Sequence, residues 1–190
     1  DSSTSRGLGD VYKRQGVIDS NDQAPIGYNP VPEMTFSLAA GLNWKGIDFS
    51  ILLQGAARSS IYLQQDIAWD NFWGNYYEEH IGRWTPETAA TATYPRFTKA
   101  ATAAHPNYYK SDYWLKDSKY LRLKNIQLGY TIPRKLLKKF GVRSLRVYAN
   151  AYNLFTWDNV KKVDPESSNN SNGQFYPQQK VINFGINLNF

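Results

Sequence analysis

The chain has 190 residues, no Cys, 15% aromatic residues, a formal net charge of +6 and a mean hydropathy of −0.57. The lack of Cys excludes a disulfide framework and a thiolate metal site. No run approaches the roughly 18 consecutive apolar residues of a transmembrane helix, but that says nothing against a wall of strands, which turn only alternate residues to lipid. The 6 Trp and 14 Tyr suit membrane-interface girdles and carbohydrate-binding surfaces alike.

Residues 1–15, Asp1 to Gln15, show neither periodicity nor the apolar core of a signal peptide. They resemble a translated sequencing-adapter scar, and the fold is read from Gly16 onward. Gly16 to Glu33 is loop-like, with three Pro among Asp, Asn and Gly. Asp19-Ser20-Asn21-Asp22 starts like a calcium loop, but Ala24 and Pro30 stand where the turn glycine and the bidentate acid belong, so an Asx-rich turn is expected.

Met34–Trp44 alternates: Phe36, Leu38, Ala40 and Leu42 share one face, Ser37, Ala39, Gly41 and Asn43 the other. Lys45-Gly46 is a tight turn, and Ile47–Gln54 alternates again. From Ala56 to Asp112 the period-2 pattern stops. There Trp69, Phe72, Trp73, Tyr76 and Tyr77 fall at i, i+3, i+4, i+7 and i+8, which predicts an amphipathic helix stopped by Gly82. Tyr120–Ile132 returns to strand, its two halves one residue out of phase, so a bulge near Lys124-Asn125 is expected. Pro133 to Gly141 reads as a basic turn with one helical turn. Ser144–Tyr152 and Lys180–Phe190 are the last two strands, joined by a loop rich in Asn and Ser.

The final strand is the most regular. Phe184, Ile186, Leu188 and Phe190 face one way, and Asn183, Gly185, Asn187 and Asn189 face the other. A uniformly apolar face opposite one of amide and glycine suits a wall between lipid and water. The connections alternate short, long, short, long, as barrel strands do with periplasmic turns and external loops. If strand five runs inward, Lys45-Gly46 and Pro133–Gly141 lie on the periplasmic side. Five strands cannot close a barrel, because the smallest have about eight. The expected fold class is therefore all-β: five antiparallel strands from the C-terminal part of a transmembrane β-barrel, with long extracellular loops, one containing a short helix.

Several segments carry a family resemblance: Tyr120-Leu-Arg-Leu-Lys-Asn-Ile-Gln-Leu-Gly-Tyr-Thr-Ile-Pro133, Ser144-Leu-Arg-Val-Tyr148, Asn153-Leu-Phe-Thr156, Asp164-Pro-Glu166 and the terminal Phe184–Phe190. With Gly16-Val-Ile-Asp19, Ile26-Gly27, Gln54-Gly55, Arg83-Trp84-Thr85-Pro86 and Tyr94-Pro95-Arg96 upstream, they resemble, in order and spacing, the C-terminal region of SusC/RagA-type TonB-dependent outer-membrane transporters. The resemblance covers nearly everything after Gln15. It implies a barrel of twenty-two strands with an N-terminal plug and a SusD-like surface lipoprotein as lid. It also implies uptake of oligosaccharide or peptide in the bacterial outer membrane, energised by the TonB complex. Residues 16–190 are then expected to be the C-terminal part of the barrel domain, without plug or TonB box. Asn183, Gly185, Leu188 and Phe190 are similar to the signal read by the barrel-assembly machinery.

Trp69, Trp73, Tyr76, Tyr77 and Trp84 fit two roles: stacking on a ligand or lid protein, and packing the loop. His80 and His105 have no second ligand at metal spacing, and Asp66, Asp70, Glu78 and Glu79 read as a solvated helix face. No nucleophile elbow, phosphate loop or dinucleotide fingerprint occurs. No enzyme, cofactor, metal or nucleic-acid function is expected, and Arg134, Lys135, Lys138 and Lys139 read as a solvated turn. The competing class is a secreted carbohydrate-binding β-sandwich, which needs a second sheet over the apolar faces.

Overall fold

The computed structural model describes residues 23–72, 74–99, 105–160, 163–167 and 176–190. Residues 1–15, the Asp19–Asp22 turn and Trp73 lie outside the described residues. The described chain divides into two compact units: Tyr28–Ile61 with the described residues from Lys116 onward, and the described residues of Tyr62–Leu115 with residues 23–27.

Seven strands form among the described residues: β1 (Met34–Trp44), β2 (Ile47–Ala57), β3 (Ser60–Tyr62), β4 (Leu115–Asp117), β5 (Tyr120–Thr131), β6 (Ser144–Asp158) and β7 (Val181–Asn189). The long ones make one antiparallel sheet in the order β1-β2-β5-β6-β7, and β3 and β4 pair as a short ribbon. The order follows the sequence because each neighbour is the next long alternating segment. β1 and β2 are joined by Lys45 and Gly46, whose φ values of 48° and 88° are those of a tight hairpin turn. β5 and β6 are joined by helix α1 (Arg134–Leu137) and a one-turn 3-10 helix, Lys138–Phe140, ended by Gly141. Both short connections leave from one end of the sheet. The long ones, between β2 and β5 and between β6 and β7, leave from the other.

Register sorts the side chains by face. Leu42, Phe49, Leu128, Ala149 and Phe184 form one cross-strand row; Asn43, Asp48, Gly129, Tyr148 and Gly185 form the adjacent row on the opposite face. The expected bulge is present. Leu52 pairs Asn125 and Leu53 pairs Leu123, so Lys124 is skipped and Leu121 and Leu123 rejoin the apolar face. On β6, Asn153 and Leu154 lie opposite the same point, with Asn153 at a φ of 51°. The strand continues past this kink to Asp158 instead of ending at Tyr152, and it carries Phe155 and Trp157.

The apolar face is bare: Phe184 is 83% exposed, and Leu38, Leu42, Phe155, Trp157 and Ile186 are all exposed. A sandwich would have buried these residues, and no second layer covers them among the described residues. Both edge strands, β1 and β7, have one unpaired side. Outside the strands, no described helix is long and apolar enough to cross a membrane.

The polar face is tied across strands. Arg146 on β6 donates through Nε to Asp48 Oδ1 on β2 at 2.9 Å, passing over Gly129 on β5. A Cβ on Gly129 would lie 2.5 Å from the Asp48 carboxylate. Tyr148 lies over its partner Gly185 in the same way, where a Cβ would meet the ring at 2.3 Å. Replacing Gly185 with Val should therefore cost about 1–3 kcal/mol of stability through overpacking. Adding Tyr148→Ala should recover most of it. Urea unfolding of the folded protein in detergent micelles measures both, and a double variant no better than Gly185→Val alone would refute the contact as the cause.

Candidate functional site

Residues 62–115 fold around their own aromatic core. Trp69, Tyr94, Tyr108 and Trp114 are all buried, with Trp69 and Tyr108 rings 4.8 Å apart and Tyr94 and Trp114 rings 5.8 Å apart. The predicted amphipathic helix does not form. Among the described residues, 68–72 are turns and Phe72 bridges to Asn75; regular structure nearby is limited to 3-10 turns at Gln65–Ile67 and Glu78–Gly82. Asn71 and Gly74 adopt φ values of 53° and 78°, which a right-handed helix forbids.

The centre of this core is polar. Asp70 is 1% exposed, which corrects the expectation of a solvated helix face. Tyr108 Oη donates to Asp70 Oδ1, the Thr98 amide donates to Oδ2 at 3.1 Å, and the Asp70 amide donates to Tyr94 Oη at 3.0 Å. Tyr94 Oη donates in turn to the Ala68 carbonyl at 2.9 Å. Burial pushes both tyrosine hydroxyls up, and Asp70 adds to the shift, so both stay protonated donors. His80 completes the set. Its Nδ1 accepts the Tyr77 amide at 3.0 Å, which leaves the proton on Nε2, 3.2 Å from the Ala68 carbonyl. His80 is thus structural, and no group of three or more metal-ligating residues occurs among the described residues.

Of the aromatic candidates, Trp69 lies inside this core. Tyr76, Tyr77 and Trp84 face outward, with Trp84 40% exposed. Trp84 lines a groove of about 540 Å³ with Tyr94, Pro95, Arg96, Asn107 and Tyr113. Rings, one amide and one guanidinium along a groove suit a ligand or protein surface with both apolar and hydrogen-bonding character.

The sheet unit carries a second anchor. Arg122 on β5, 1% exposed, donates to both Asp164 oxygens at 2.8 Å, to Glu166 Oε2 at 3.1 Å and to Thr156 Oγ1 at 2.9 Å. Tyr120 Oη donates to Glu166 at 2.7 Å. The β6–β7 connection is held to the wall by this cluster, which gives the Asp164-Pro-Glu166 segment a physical role. Sequence reasoning noted the segment but missed Arg122, 42 residues away. Asn183, Gly185 and Leu188 lie on β7, with Phe190 just beyond it and exposed.

No protein-family model matches the chain. It is 29% identical over 192 residues to TonB-dependent receptor P26 of Formosa agariphila, aligning 92% of this chain and 18% of that protein. It is 27% identical over 177 residues to TonB-dependent receptor SusC of Bacteroides thetaiotaomicron, aligning 92% and 17%. The fold matches the RagAB peptide transporter with a TM-score of 0.66 at 21% identity, covering 90% of this chain and 19% of that one. The chain is thus similar in sequence to TonB-dependent receptors and in fold to the RagAB transporter. It spans less than a fifth of the length of the relatives it matches, and these are named as receptors, none as an enzyme. The five-stranded sheet is consistent with a fragment of a barrel such as that of the structural neighbours.

In the sheet unit, burial pushes the Asp164 carboxyl up, but the Arg122 hydrogen bonds and the amides of Glu166 and Gln178 outweigh burial and hold it below its ordinary value of 3.8. The latch therefore contributes fully above that value and is lost only as pH falls beneath it. A spin label at Ser167→Cys should be immobile at neutral and mildly acidic pH and loosen only below about pH 3.9. Adding Arg122→Gln should free it at neutral pH. A label equally mobile with and without Arg122 would refute the anchor.

Proposed function

We propose that this chain contributes wall strands and external loops to an outer-membrane active transporter that imports glycans or peptides. The transporter is energised through the TonB complex and works with a SusD-like surface lipoprotein. One observation carries the reading: a five-stranded antiparallel sheet has an apolar face with no second layer over it among the described residues, while its opposite face is polar and its long connections leave from one end. Water penalises such a face by about 25 cal/mol for each Å² left exposed; a bilayer removes the penalty. Similarity to TonB-dependent receptors along 92% of the chain supports the same reading, and likeness in fold to the RagAB peptide transporter supports a transport role.

In this reading Tyr76, Tyr77 and Trp84 supply the outward aromatic surface for ligand or lid, while Trp69 holds the loop together. Asn183, Gly185, Leu188 and Phe190 serve recognition by the barrel-assembly machinery. Exposed aromatic anchors of this kind contribute on the order of 1–3 kcal/mol each to an interface. In the full-length receptor, Trp84→Ala should weaken binding of the oligosaccharide or peptide, or of the lipoprotein, by roughly tenfold, with barrel abundance unchanged. Heat-modifiable gel mobility of outer-membrane fractions reads abundance, and uptake of labelled substrate with and without a working TonB complex reads transport. Uptake that persists without TonB would overturn the energised reading. Absence of a heat-modifiable species would overturn the barrel itself.

A further inference from the structure

The end of the sheet opposite the long loops carries cations and exposed apolar side chains that the wall does not use. In the β5–β6 turn, Leu137 packs inward, but Leu136 is 66% and Phe140 76% exposed. Beside them Arg134, Lys135, Lys138 and Lys139 are exposed, and none has an ion pair among the described residues. The sequence contains no Asp or Glu from Ser118 to Trp157. The acid at this end, Asp48, is committed to Arg146. A turn meant only for water has no use for a bare Phe and Leu, and one meant only to pack has no use for four free cations.

This end is continuous with the lipid-facing wall. Thr131, at the end of β5, donates to the Gly46 carbonyl at 2.7 Å, so α1 starts beside the β1–β2 hairpin. Trp44 and Tyr130 flank Ile47 in the last apolar row and are both exposed. Lys45 Nζ lies 4.9 Å from the Trp44 ring. Trp and Tyr at such a level mark a headgroup boundary. Apolar tips just beyond it, among cations, have the composition of an interfacial anchor.

We infer that the β5–β6 turn is a docking surface for anionic phospholipid: Leu136 and Phe140 seat at the headgroup–acyl boundary while Arg134, Lys135, Lys138 and Lys139 hold lipid phosphates. The inference rests on the proposed membrane-wall reading. Clusters of four or more cations beside a membrane select anionic headgroups, each adding to the attraction and each screened by salt. The turn lies on the side opposite the long loops, so the lipid is that of the phospholipid leaflet.

The test uses the full-length receptor in nanodiscs of dioleoylphosphatidylcholine, with or without dioleoylphosphatidylglycerol, and an environment-sensitive dye on a single Cys. This chain contributes no native Cys. Labelled Phe140→Cys should report an apolar setting with phosphatidylglycerol and a more aqueous one without it or at high salt. Replacing Lys135, Lys138 and Lys139 together with Gln should abolish most of the phosphatidylglycerol-dependent shift, a loss of roughly 10- to 100-fold in the partitioning of the turn. Labelled Phe184→Cys, on the wall, should report lipid in both discs. If it does and the Phe140 probe ignores phosphatidylglycerol, the docking surface is refuted and the wall reading stands. A water-like signal at Phe184 overturns both. A Phe140 response to lipopolysaccharide in preference to phosphatidylglycerol, or one unchanged in the Gln variant, overturns the inference.

Discussion

Backbone amides and carbonyls that cannot reach water must find one another, and everything else in the sheet unit follows from how this chain meets that demand. The ladder from β1 to β7 pairs each long strand with the next one in sequence, which keeps loop closure local and fixes the register from hairpin to hairpin. Once the ladder is set, side chains have no choice of face. The apolar rows go one way and the Asn, Asp, Arg and Gly rows go the other. The bulge at Lys124 is the one place where the sequence changes phase, and the ladder absorbs it without losing the apolar face. Side-chain burial is confined to the inner strands, at residues such as Leu123 and Ala151, while the edge strand β1 is exposed along its whole length. At that edge the cohesion is in the backbone.

The loops obey a different rule. Away from the ladder, each long connection is organised by one buried polar residue with several partners. Asp70 gathers Tyr94, Tyr108 and the Thr98 amide, and Arg122 gathers Asp164, Glu166 and Thr156. A buried charge is expensive to leave unmatched, by about 1–3 kcal/mol or more for each lost partner. Such a centre therefore selects one loop conformation over many. It also holds the rings around it at fixed positions: Tyr94 belongs to the buried core and lines the groove beside the exposed Trp84.

The strands were legible because period-2 alternation is a local signal that the ladder reads directly. Met34–Trp44 has the expected bounds, and the phase slip between Leu123 and Ile126 marked the bulge. The helix from Trp69 to Tyr77 was misleading for a physical reason. Spacing at i, i+3 and i+4 describes side chains only if the backbone between them stays right-handed, and Asn71 and Gly74 do not. Those two residues were the available warning. β6 ran on past Tyr152 because Asn153, which tolerates a left-handed φ, kinks the strand without ending it. The polar centres were not legible at all. Asp70 lies 24 residues from Tyr94 and 38 from Tyr108, and no spacing rule links a carboxylate to a hydroxyl across such a gap.

The arrangement around Gly129 binds three positions into one inherited unit. Arg146 and Asp48 meet directly above it, and even a methyl group there would occupy the space of their ion pair. A drift from Gly129 to Ala is not an independent event: it displaces a guanidinium and a carboxylate that would each then face the interior side of the wall alone. Conversely, once either charged partner has been lost, the restriction on position 129 disappears. Among descendants of this sequence, glycine at 129 should travel with the acid at 48 and the arginine at 146, and the three should be gained or lost as a set, a covariation spanning 98 residues of chain that arises from the space over a single strand.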